Sequence, residues 1–187
     1  MLRNVTTLRA DVVLARDGDM GFIADVYFDD ERWNVRYFVV DVSHMLRERR
    51  VLIAPDSVLP DQPSDDLLRL RLTRSEVQDS PQADTRLPVA LQFDVPERRH
   101  RSDPHLRSSE FVIGYHVHAL DGAAGRVSNL VVDDATWTIA SMVVSTGNGF
   151  SGRRVLIAPR AVQRIDWPWR KVHVNLTREQ VRGAGRA

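Results

Sequence analysis

The chain has 187 residues, of which 43% are hydrophobic and 27% charged, and a formal net charge of +1. This leaves room for one or two small packed domains, and the near-neutral balance argues against the wide basic field of a nucleic-acid-binding surface. Cysteine is absent, which excludes disulfides, thiolate chemistry and thiolate-ligated metal.

Met1 to Thr7 lacks the apolar core of a secretion signal. The longest apolar runs, such as Tyr37-Phe38-Val39-Val40, fall far short of the ~20 residues of a membrane helix. The expectation is a soluble, cytoplasmic protein with no direct membrane insertion. From residue 9 onward the chain is written twice. Residues 9–77 align without gaps on 113–181, and Arg49-Arg50-Val51-Leu52-Ile53-Ala54-Pro55 returns letter for letter as Arg153 to Pro159. The two copies share 22 identities over 69 positions. Positions apolar in both are core candidates.

Each copy opens on a short predicted strand, Asp11 to Ala15 and Tyr115 to Ala119. Asp17-Gly18 and Asp121-Gly122 then signal tight hairpins. The second strand covers about Met20 to Phe28 and Ala124 to Val132. Its two-residue alternation breaks near Ala24, because 25/129 is Asp/Asn while 26/130 is apolar, so a bulge is expected there. Asp29-Asp30 with Trp33, and Asp133-Asp134 with Trp137, read as turns in which Asp accepts backbone bonds and Trp closes the hairpin. A third strand follows at about Val35 to Val42 and Ile139 to Ser145. The Val-Leu-Ile strand stopped by proline comes next, then a last strand at Leu67 to Leu72 and Lys171 to Leu176. Thr73-Arg74-Ser75-Glu76 is a capping box, with Leu72 and Val77 as its hydrophobic staple, and Leu176 to Val181 repeats it. One short helix therefore ends each copy. Residues 81–110, with Pro81, Pro88, Pro96, Pro104 and the run Glu97 to Arg101, read as a linker holding one short strand at Val89 to Phe93. The expected organisation is a first domain at 1–80, this linker, and a second domain at 111–187.

The succession Asp-Gly-x-x-Gly, Asp-Asp-x-x-Trp, Arg-Arg-Val-Leu-Ile-Ala-Pro and Leu-Thr-Arg-x-x-Val resembles the PRC-barrel family, once per copy. That family includes the cytoplasmic domain of the photosynthetic reaction-centre H subunit and a domain of a ribosome maturation factor. The tandem form is similar to free-standing bacterial proteins with two such barrels. The resemblance implies an all-β fold of two small barrels, each with a short C-terminal helix, and no reaction or cofactor of its own. It implies an adaptor or assembly scaffold with a protein partner that the sequence does not name, and leaves a homodimer open. The alternatives are association with RNA or the ribosome, and binding of a small ligand or metal. The apolar membrane helix of the true H subunit has no counterpart here, so its quinone-linked chemistry is not carried over.

His116 and His118 share one face of a strand and are a candidate pair of metal ligands, but the first copy has Val12 and Leu14 there and a third ligand is not evident. Gly147 to Gly152 spells a dinucleotide-binding glycine pattern, yet a strand follows where that motif needs a helix. It reads as a hairpin loop. Trp167 and Trp169 flank Pro168 and are partner-anchor candidates, since Trp dominates interface hot spots. Met45 and Leu46 are weaker candidates of the same kind. Arg98, Arg99 and Arg101 are candidate phosphate contacts, set against the ordinary reading of a solvated charge run. No nucleophile, acid and base are spaced as an enzyme site requires.

Overall fold

Turn chemistry and strand patterning lay out the same run of elements twice. The computed structural model describes residues 1–43, 49–60, 66–92, 103–147 and 152–187. A leading strand β1 (Leu2–Asn4) and a one-turn helix α1 (Val5–Leu8) precede β2 (Val12–Ala15), β3 (Gly18–Asp29), β4 (Val35–Asp41), β5 (Arg50–Ile53) and β6 (Leu67–Arg69), and α2 (Arg74–Gln78) closes the set. After α3 (Val89–Gln92) the order returns as β7 (Leu106–Ser108), α4 (Ser109–Val112), β8 (His116–Ala119), β9 (Gly122–Asp133), β10 (Thr138–Thr146) and β11 (Arg153–Ile157). It finishes with β12 (Val162–Asp166), β13 (Lys171–Val174) and α5 (Arg178–Gly183).

The protein is mostly β, in two sheets. One runs β5-β4-β3-β2-β6 and the other β11-β10-β9-β8-β13-β12. Pairing is antiparallel except for β2 with β6 and β8 with β13. Among the described residues neither path closes on itself.

Each leading strand crosses to the other copy. β1 pairs with β9, placing Leu2 opposite Asp133 and Arg3 opposite Val132. β7 pairs with β3, placing Leu106 opposite Asp29 and Arg107 opposite Phe28. The hairpin tips are tied as well. Trp33 and Trp137 adopt left-handed backbone, with φ of 55 and 54°, a conformation that bulky residues rarely take. It turns their carbonyls across the junction, where the Val35 amide donates to Trp137 and the Ile139 amide to Trp33, both at 2.7 Å. Trp137 is buried and meets Phe38 of the first copy edge-on at 4.7 Å. One apolar cluster consequently runs from Val5 through Ile23, Phe38, Leu130 and Met142 to Val181.

The register of β3 against β4 shifts between Ile23 and Asp25, so Ile23 and Val26 are both fully buried despite odd spacing. A bulge does this by adding one residue to one strand. At Gly21 and Gly125 the neighbouring strand comes so close that a Cβ would lie 1.9 Å from the Asp41 carbonyl and 2.2 Å from that of Ser145. Both helix caps form as capping boxes, Thr73 with Glu76 and Thr177 with Gln180. The hairpin aspartates add to them: Asp17 accepts the Arg74 amide and Asp121 the Arg178 amide, each at 2.7 Å.

The segment between the copies differs from the reading above. Val89–Gln92 is a helical turn, α3, where a strand was expected; Phe93 lies outside the described residues. Four apolar residues carry no period that separates strand from helix, and the turn closes through the Leu91 amide to the Pro88 carbonyl at 2.8 Å. Pro81 and Gln82 cover the open edge of β5, as Gly185 and Arg186 cover that of β11. Among the described residues no helix is long and apolar enough to cross a membrane.

Candidate functional site

The break in alternation that makes the β3 bulge turns Asp25 into the junction between copies. Its side chain is 5% exposed. Oδ1 accepts the Val26 amide at 2.8 Å, the Ser109 hydroxyl at 2.6 Å and the Glu110 amide at 3.1 Å, and Oδ2 accepts the Ser108 hydroxyl. Burial pushes its carboxyl above the usual carboxylate range, against the pull of these hydrogen bonds. The Tyr27 phenol is pushed up too, first by burial and then by the neighbouring Asp25. In the second copy Asn129 replaces Asp25 and bonds Thr6 of the first, accepting its amide at 3.2 Å and donating to its hydroxyl at 2.7 Å. The sequence carried a signal for both, the polar 25/129 position inside an apolar strand.

The aspartate pairs do more than form turns. Asp29 accepts the Glu31 and Arg32 amides. Burial pushes its carboxyl up, but these amides and the Arg36 guanidinium at 3.0 Å outweigh burial and hold it below the usual range. Asp30 is held by Arg107 of β7 at 2.6 Å and by the imidazole of His105, just before that strand, at 2.9 Å. The hydrogen bond to Asp30 raises the His105 imidazole. Asp134, at the corresponding place, binds the Met1 amino group. Arg3 of β1 forms a buried ion pair with Asp11 at 2.6 Å, with side chains 5 and 1% exposed. These groups tie one copy to the other.

His116 and His118 lie on one face of β8, with buried Val117 between them on the other. A third imidazole, His173 of β13, stands opposite His118 with ring centroids 5.8 Å apart. Burial lowers the His118 imidazole first, and Lys171, His173 and His116 add to it. Among the described residues no group of three or more metal-ligating side chains converges.

Trp167 and Trp169 separate. Trp167 is partly buried and packs on the central cluster, while Trp169 is 72% exposed. Met45, Leu46, Arg98, Arg99 and Arg101 lie outside the described residues, as do 148–151 of the glycine-rich loop.

The two copies present unlike outer faces on like frames. In the first, Val12 faces Phe22 across β2–β3 and Leu67 across β2–β6, and Phe22 is 48% exposed. In the second, the same places hold His116, Arg126 and Lys171. Comparison with protein-family models returns no match, and comparison with curated proteins returns none.

Proposed function

We propose that this chain is a non-catalytic scaffold of the PRC-barrel type, in which two barrel-like halves are joined into one block that offers two unlike faces. The observation that supports this reading is the pair of cross-strand triplets at equivalent places. Exposed Val12 and Phe22 with half-buried Leu67 form an apolar patch, and His116, Arg126 and Lys171 form a cationic one. An exposed apolar patch rimmed by polar residues suits a protein partner. An adaptor needs two separate surfaces at a fixed spacing, and strands exchanged between copies hold them there. The location that goes with this reading is the cytoplasm.

Affinity capture of the tagged chain from its native cells tests it, run with wild type and Phe22→Arg, each with and without nuclease. The expected result is a specific protein retained by wild type, resistant to nuclease and lost with Phe22→Arg. Capture of ribosomal components that disappear with nuclease would replace this reading with an RNA-borne association. Recovery of the bait alone would overturn it.

A further inference from the structure

The cationic face of the second copy is hollowed. His116, Arg126, Arg153 and Arg182 stand around one open cleft of about 890 Å³. Among the described residues no carboxylate lines it, and none forms an ion pair with these three arginines. Among the described residues the Arg126 guanidinium has one hydrogen bond, to the Gly114 carbonyl at 3.3 Å.

The first copy supplies an internal control. Its residues at the matching positions are Val12, Phe22, Arg49 and Gln78, and where the second-copy cleft has Ala123 and Ser145 it has Asp19 and Asp41. One arginine and two carboxylates, a charge of −1, correspond to three arginines, a charge of +3. In the first copy the carboxylate is in use, since Asp41 holds Arg50 at 3.4 Å, and the Arg49 guanidinium is spent on the Gln78 carbonyl. In the second copy both acids are gone and two arginines are gained. The whole chain carries only +1, so this concentration is local. Like charges gathered without partners repel one another, and a bound anion relieves the repulsion.

We propose that this cleft binds a small molecule carrying two or more phosphoryl groups. Guanidinium groups match phosphoryl oxygens with paired hydrogen bonds. Three guanidiniums carry +3, more than the roughly −2 of one phosphate monoester balances, and a second phosphoryl group supplies the difference. The volume lies within the range of small-ligand sites. No Phe, Tyr or Trp lines the cleft among the described residues, whereas single-stranded nucleic acid is held largely by stacking on such side chains. The site shares His116 and Arg126 with the cationic face of the proposed scaffold and does not depend on a protein held by the apolar patch.

Calorimetric titration of the full chain with inorganic pyrophosphate is the test, with wild type, Arg126→Gln, Arg182→Gln and Arg49→Gln. All three altered side chains are exposed, and a thermal melt of each variant checks that the fold is kept. The expected result is saturable binding at one site per chain. Affinity should fall about tenfold for each of Arg126→Gln and Arg182→Gln, weaken with salt, and stay unchanged for Arg49→Gln. Absence of saturable binding up to ~10 mM, or binding that survives loss of Arg126 and Arg182, overturns the proposal. A parallel titration with a short single-stranded RNA and with anionic vesicles completes it. Tighter binding of either through the same two arginines would assign the face to that polymer or surface and overturn the small-molecule site.

Discussion

Asp25 and Asn129 occupy the same place in two matching joints, and only one of them can ionise. Burial raises the Asp25 carboxyl, so the folded chain holds that proton to higher pH than the unfolded chain does. Above the unfolded carboxyl range the folded state then binds more protons, and stability falls as pH rises through that window. Asp25→Asn removes this dependence and keeps the polar contacts, because an amide can accept from Val26, Ser109 and Glu110 and donate to the Ser108 hydroxyl. Urea unfolding followed from pH 4 to pH 8 should show wild type losing stability relative to the variant as pH rises. Equal pH dependence would place the ionisation elsewhere. The polar 25/129 position was legible in the sequence as a broken alternation. Its partners were not, since Ser108 and Ser109 lie more than eighty residues away and nothing local pairs them with it.

The elements were legible wherever local chemistry decides them. The Asp-Gly hairpins, the bulge near Ala24 and both capping boxes form as their residue types dictate. The three-residue strands β1 and β7 were not legible, because three residues show no period and their pairing is decided by the distant long strands. Val89–Gln92 went the wrong way for the same reason. The cleft of the second copy escaped because its cations come from separate strands and a helix, with no motif to join them. Glycine at position 21 belongs to this scale, since it lets β3 and β4 meet where a side chain cannot fit. Gly21→Ala should cost about 2–4 kcal/mol in chemical denaturation. A loss below ~0.5 kcal/mol, the range of an ordinary surface change, would show that the strands move apart at little cost.

At the scale of the whole molecule, the two copies share more than a sequence. β1 serves the second copy and β7 serves the first. The Trp33 and Trp137 carbonyls tie the tips, and one apolar cluster spans both copies. Loosening either half would expose the strand partner of the other, so the halves should unfold together. The scaffold reading depends on this, because two faces act at a fixed spacing only if the frame between them does not hinge. Differential scanning calorimetry of the full chain, repeated with Trp137→Ala, measures it most directly. One transition is expected, with calorimetric and van't Hoff enthalpies in agreement, shifted down as a single transition in the variant by the loss of about 3–5 kcal/mol. Two resolved transitions in wild type, with only one of them moved by Trp137→Ala, would contradict it.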